Sequence, residues 1–376
     1  MRILLITESL SAPGGWATYA TNLAQGLRER GHDVMILSPE SAGTLSKIPS
    51  PLQVLSHPLR SLLLSLKLRS ALLKSTPDII HITVEPYALL ASLWPHALLH
   101  RTVITFHGSY GVRLLQNSMS RRLLRRVLAS LPAFIAVSSY TKNRIAEECN
   151  RRCSSALADR FLRKTQVVYN AICLPSVPEE HVRSDRKQIL LIGPLKPRKG
   201  VLEAVEACAL YRQMHANPFT LRIIGTQDDS AYSRTVEQRI VALHMQDEVR
   251  FEGVLPQDKL DAAYRSADLL LLPARTTETT FEGFGLVFIE AASYGVPSIG
   301  PTTSGAAEAI EEGKSGYRVR PDDAAQIAQR MHSILDEHRI DPETCRAWAQ
   351  RFSIASMAAA MSGLYATAVG SEIPGL

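Results

Sequence analysis

Two glutamates eight positions apart, Glu282 and Glu290, stand in the most chemically suggestive stretch of this 376-residue sequence, TFEGFGLVFIEAASYGVP over 280–297. An apolar run ending at Pro273, a loop with Gly283, and a helical pattern opening near Gly285 and stopping at Gly295 predict strand, glycine loop and helix start. That order builds an anion site, because the first helical turn has N–H groups without helical partners and its dipole favours negative charge. Gly283 and Gly285 allow the backbone to approach a ligand closely. On one helix, eight residues amount to about 12 Å of rise and roughly 80° of rotation. This does not suit the paired carboxylates of a glycosidase, which flank a single bond about 5–10 Å apart. It suits two carboxylates reaching opposite ends of an extended ligand, and a nucleotide-sugar is such a ligand. Either acid alone would read as a solvated surface group.

The elements that must position these residues follow a βαβ rhythm. In the first half, near-continuous apolar, β-branched runs over 2–7, 33–38, 53–57, 78–83, 102–107, 134–138 and 166–170 predict strands buried on both faces. Helical stretches lie between them, such as 18–30, which ends at Gly31. A segment at 174–187 holds two prolines and a cluster of charges, the composition of a linker. A second alternation comes after it, with strands expected over 188–193, 220–225, 249–254, 268–274, 296–300 and 317–319. The fold class is therefore α/β: two doubly wound Rossmann-like domains, 1–173 and 188–353, facing across a cleft. A last helix over 354–376 is free to pack back on the first domain or to stay with the second. In such folds ligands bind beyond the carboxyl ends of the strands, so the cleft is the expected site.

Composition narrows the class further. The chain is 45% hydrophobic and 21% charged, as in an ordinary enzyme. No apolar run reaches the roughly 20 residues of a membrane span, and a strand-like segment begins at Arg2, so a cytoplasmic protein is expected. Five scattered cysteines, Cys149, Cys153, Cys173, Cys208 and Cys345, read as free thiols; Cys149 and Cys153 share a helix face but have no further metal ligands nearby. The net charge of +6 is unevenly placed: residues 1–180 hold 21 Lys+Arg against 11 Asp+Glu, and the remainder 21 against 25. No nucleic-acid motif accompanies the basic half, which leaves a phosphorylated substrate or an anionic membrane as its counterpart. The leucine- and arginine-bearing stretches 59–74 and 119–130 are candidates for peripheral contact with the inner face of a membrane; equally, their leucines would pack on the sheet.

The stretch from Glu282 to Pro297 resembles the retaining glycosyltransferases of family 4, which have the GT-B fold, and most of all the phosphatidylinositol mannosyltransferase-like group. The resemblance spans nearly the whole chain: Gly14-Gly15, Glu29 to Val34, Phe106-His107-Gly108, Lys199-Gly200, Gly253-Val254 and Ala267-Asp268 all fall in family order. It implies transfer of a hexose from a UDP- or GDP-linked donor to a lipid-linked, saccharide or small-molecule acceptor, without cofactor or metal. Glu290 would bind ribose and Glu282 the transferred sugar. Gly283 and the amides of Phe284, Gly285 and Leu286 would lie against sugar and phosphate. Lys199 would sit on the diphosphate, Gly15 would meet the phosphates from the first domain, Val254 would touch the base, and His107 would lie at the reacting centre. One departure stands out. Where the family has Arg after the first glycine of the phosphate loop, this chain has Pro194, leaving Lys196 or Arg198 as further phosphate contacts. The departure keeps two alternatives open, a non-catalytic glycosyltransferase-like subunit and a sugar-nucleotide epimerase or hydrolase.

Overall fold

The computed structural model describes residues 1–10, 14–40, 48–175, 184–215 and 217–370, without the side chains of 58–61. The chain divides into two units, Met1–Cys173 with Ser353–Leu376, and Leu174–Phe352. The first holds β1 (Arg2–Ile6), β2 (Asp33–Leu37), β3 (Ile79–Ile82), β4 (Thr102–Phe106), β5 (Ala133–Ala136) and β6 (Thr165–Val167), ordered β2-β1-β3-β4-β5-β6. The second holds β7 (Lys187–Ile192), β8 (Phe219–Ile224), β9 (Val249–Gly253), β10 (Leu269–Leu271), β11 (Ser298–Pro301) and β12 (Gly316–Val319), ordered β12-β11-β10-β7-β8-β9. Every pairing is parallel. Each sheet has its chain reversal beside its first strand, between β1 and β3 and between β7 and β10. There the loops leaving two neighbouring strands run to opposite sides and open a crevice for a ligand.

The helices that flank the sheets include α1 (Gly15–Glu29), α2 (Pro58–Ser75), α3 (Ser109–Gln116), α4 (Ser118–Ser130), α5 (Val201–Met214), α6 (Leu286–Ser293), α7 (Ala324–Leu335) and α8 (Ile354–Gly370). Helix α8 packs on α1 in the first unit, joining Met357, Met361, Leu364 and Tyr365 to a core with Tyr19, Leu23 and Leu27. Gly26 makes this possible, since a Cβ there would stand 2.7 Å from Ile354 Cγ2. Burying each such large side chain contributes about 1.5–3 kcal/mol. Polar groups inside this core are joined to one another. His81 Nδ1 lies 2.6 Å from the Tyr365 hydroxyl and His81 Nε2 2.7 Å from Thr105 Oγ1, which in turn lies 2.8 Å from the Tyr19 hydroxyl.

Some sequence expectations need correction. The run 53–57 is not a strand but part of the helix Pro51–Ser56. Ser50 and Gln53 form a reciprocal capping box and Pro51 occupies the first turn, so local helix-start chemistry prevails over the apolar pattern. Most of the 174–187 segment lies outside the described residues, but its last residue, Lys187, opens β7. The strand expected over 268–274 ends at Leu271. In α4, Leu124, Val127 and Leu128 are buried, and Arg126 donates to the carbonyls of Ser92 and Trp94. Of the stretch 59–74, the side chains of 59–61 lie outside the described residues.

Candidate active site

In the second unit, the loops after β7 and β10 meet at the chain reversal. The β7 loop ends in a tight turn, Pro197–Lys199, and Gly200 in the left-handed conformation (φ 68°) starts α5. A Cβ on Gly200 would stand 2.0 Å from the Pro273 carbonyl oxygen, so only glycine lets the start of α5 abut the end of the β10 strand. This contact places Lys199 and Arg198 beside Glu282. Lys199, 6% exposed, lays its side chain over Gly193, and its Nζ lies 2.8 Å from Glu282 Oε2. Arg198 Nη1 reaches the same oxygen at 2.8 Å. Burial pushes the Glu282 carboxyl up, but Lys199 and Arg198 outweigh it and hold the group at about 2. Two cations share one carboxylate, which leaves net positive charge at a helix start.

Glu282 is fixed through its backbone as well, its carbonyl accepting from the Gly305 N–H at 3.0 Å. After Gly283 the chain buries Phe284, and Gly285 (φ 82°) turns it into α6, whose first residue is Leu286. A Cβ at Gly285 would meet the Phe288 ring at 2.7 Å, so this turn also needs glycine. Glu290, one turn further along α6, accepts a 2.7 Å hydrogen bond from the Tyr264 hydroxyl. Burial raises the Glu290 carboxyl, while Tyr264 and, more distantly, Lys199 pull it down. Tyr264 is itself buried and stacks on Tyr294, with ring centroids 5.4 Å apart. Val254 follows the end of β9 and is 59% exposed, a bare apolar surface. Of the other expected phosphate contacts, Arg198 joins Lys199 on Glu282, whereas Lys196 pairs with Asp228 instead.

In the first unit, Gly15 opens α1 and is exposed, with Gly14 in a conformation that favours glycine (φ 139°). His107 follows β4. Its Nε2 donates to the Thr83 carbonyl at 2.7 Å, and its ring meets Tyr19 edge-on at 4.6 Å. Burial lowers the imidazole to about 4, so at neutral pH it is uncharged, with its proton on Nε2 and a lone pair on Nδ1. Glu85, beyond the end of β3, is fully buried; its Oε1 accepts from the N–H of His107 at 2.6 Å and of Gly108 at 2.8 Å, just before α3. Its Oε2 finds no partner among the described residues, and burial pushes the carboxyl up to about 7.

Sequence reasoning missed Glu85 and Tyr264. Glu85 did leave a signal, an acid two residues after an apolar strand (ITVEP), where such folds place active groups. Tyr264 left none, because only packing brings its helix against α6.

Two sheets of this order, with a cation-lined helix start at the reversal of the second, are the architecture of GT-B glycosyltransferases. The comparisons agree. A model described as Glycosyltransferase Family 4 matches residues 13–172, and one described as Glycosyl transferases group 1 matches residues 176–352. A glycogen synthase of Mycobacterium tuberculosis is 25% identical over 99% of this chain and 96% of its own length. The GDP-mannose-dependent alpha-(1-6)-phosphatidylinositol monomannoside mannosyltransferase of that organism is 25% identical over 89% of each chain. Among solved structures, sucrose-phosphate synthase from Thermosynechococcus elongatus superimposes with a TM-score of 0.75 at 20% identity, over 99% of this chain and 100% of that one. Anabaena HepE in complex with UDP-glucose gives a TM-score of 0.66 at 17% identity, over 96% and 98%. The chain belongs to the family 4 glycosyltransferases and is a sugar-transferring enzyme.

Proposed function

We propose that this enzyme transfers a hexose, with retention, from a nucleoside-diphosphate sugar to an acceptor hydroxyl. The observation that carries the reading is the convergence of Lys199 and Arg198 on Glu282 at the start of α6. The donor diphosphate lies against Lys199 and the α6 amides, with Arg198 supplying the guanidinium that Pro194 withholds. Glu282 binds hydroxyls of the transferred sugar, Glu290 those of the ribose, and Val254 the base. As the anomeric C–O bond breaks, its electron pair goes to the leaving diphosphate, where the Lys199 charge stabilises it. A bond from the acceptor oxygen replaces it, and that oxygen's proton leaves with the diphosphate or to solvent. His107, neutral at working pH, accepts from a sugar hydroxyl through Nδ1, and Gly15 opens α1 toward the phosphates. The relatives named for GDP-mannose and bound to UDP-glucose support a nucleotide-linked donor of this kind. Neither a bare binding subunit nor an epimerase or hydrolase gains support from these relatives.

Thermal shift against UDP, GDP, ADP and their hexose conjugates tests the reading. A ligand at 100 times its dissociation constant stabilises by about 2.7 kcal/mol, or about 2–4 °C for domains of this size. A shift with one nucleotide series supports the site and names the base; no shift with any of them counts against it.

The acceptor side includes peripheral contact with an anionic membrane. On α2, Leu63, Leu66 and Leu73 are 66%, 47% and 46% exposed, among exposed Lys67, Arg69 and Lys74. Apolar and basic groups on one surface suit the interface of an anionic bilayer. No described helix is long and apolar enough to cross it. Co-sedimentation with vesicles at low salt should rise with anionic lipid content and fall in Leu63→Ser/Leu66→Ser; equal pelleting with neutral vesicles would remove this contact.

A further inference from the structure

The end of the second unit opposite the proposed donor site carries a cluster the transfer reaction does not use. In a doubly wound unit the helices run back against the strands, so the carboxyl ends of α5 and α7 lie at the amino ends of the strands. Those two helices pack together, and His215 caps α5 while His332 and Asp336 occupy the last turn and cap of α7. One donor atom from each of the three residues lies within 4.8 Å of the others. Two helix carboxyl ends converge there, and their dipoles favour a cation.

We propose that His215, His332 and Asp336 bind a divalent first-row metal ion of the zinc class, linking α5 to α7. The spacing of His332 and Asp336, four residues apart on one helix, puts both on the same face, and His215 approaches from the neighbouring helix. Two imidazoles and one carboxylate suit zinc, with a water as fourth ligand. Solvent reaches the cluster at two of its members: the His332 side chain is 33% exposed, and Asp336 lines a cavity of ≈ 390 Å³ with Lys187, Asn217, Pro218, Leu335 and His338. The outer support is in place, since Asp336 accepts from the Tyr211 hydroxyl at 2.9 Å and from Asn217 Nδ2 at 2.7 Å. His215 Nε2 is buried and finds no hydrogen-bond partner among the described residues, a cost that a metal bond removes. The imidazoles of His215 and His332 stack in parallel, with centroids 3.8 Å apart and planes at 4°. Metal entry splays this stack and replaces the 2.7 Å contact between His332 Nδ1 and Asp336.

The test uses the full chain, freed of metal with a chelator, then titrated with Zn²⁺ by calorimetry and with Co²⁺ by visible absorption. The expected result is one equivalent bound, a raised melting temperature, tetrahedral Co²⁺ bands without thiolate charge transfer, and at least tenfold weaker binding in His215→Gln and in His332→Gln. Asp336→Asn keeps size and most hydrogen bonds, so weakened binding there in a chain with native circular dichroism separates lost ligation from lost folding. No uptake by the wild-type chain, uptake unchanged in all three variants, or a thiolate band from a cysteine site would each overturn the assignment, leaving at most an adventitious cation.

Discussion

A single carboxylate oxygen of Glu85 holds the backbone of His107, accepting its N–H at 2.6 Å and that of the following Gly108 at 2.8 Å. The loop that presents the imidazole is thus fixed from below by a buried acid. With burial raising Glu85 to about 7, the folded chain keeps a proton that the unfolded chain releases near 4.5. Between those values the folded state binds more protons, so this group's contribution to stability is full below about pH 4.5 and falls as pH rises toward 7. Denaturant melts at several pH values should show this decline in the wild type, on the order of 2–3 kcal/mol, and a flatter profile in Glu85→Gln. Parallel profiles would remove Glu85 as the titrating group.

Glu282 behaves in the opposite sense. Held at about 2 by Lys199 and Arg198, it contributes stability above its ordinary carboxyl range, and this is lost as pH falls toward 2. Glu282→Ala should reduce transfer, measured as nucleoside diphosphate released, at least tenfold with the units still folded. Transfer in His107→Ala should fall by the same factor or more. Near wild-type rates in either variant would take that residue out of the site.

The two spare cations of the β7 loop are separable. Arg198 lies on Glu282 and Lys196 on Asp228. Arg198→Ala should weaken binding of the matching nucleoside diphosphate at least fivefold, and Lys196→Ala less than twofold. Equal losses in calorimetric titrations would mean that both reach the diphosphate.

Tyr264→Phe removes the hydroxyl that donates to Glu290 at 2.7 Å. Leaving the half-buried Glu290 carboxylate short of one donor costs about 1–3 kcal/mol. The melting temperature should drop by several degrees, and saturating nucleotide should restore part of it; an unchanged melt would show that water replaces the hydroxyl.

Gly200→Ala should be among the most damaging small substitutions. Its Cβ would stand 2.0 Å from the Pro273 carbonyl oxygen in a left-handed turn (φ 68°). Expression of folded protein should fall sharply, whereas Gly313→Ala, with open space around its Cβ, should lose only the strain of its turn.

The sheets were legible because buried parallel strands must be apolar throughout, so runs such as ILLI and LLLL announce themselves. The 53–57 run misled because its two apolar residues, Val54 and Leu55, fit either period, and the deciding signal, Ser50-Pro51 with Gln53, begins just upstream. At the candidate site, Glu282, Gly285 and Glu290 were readable from a motif contiguous in sequence. The pairing of Arg198 with Glu282 joins residues 84 positions apart and needed the strand order to become visible. Tyr264 and Glu85 act through contacts that no spacing encodes.

The chain leaves the first unit after Cys173 and returns at Ser353, and Ile172 and Ser353 there form a parallel bridge. The second unit is therefore an insertion between two adjoining points of the first. For a chain made from its amino end, this reverses the usual order of completion. The β1–β6 sheet emerges early yet lacks α8, whose Met357, Met361 and Tyr365 fill its core, until the whole second unit has been made. The second unit can finish folding while the first still waits for its last helix, and a ribosome that stalls anywhere before residue 354 releases a first unit with its core open.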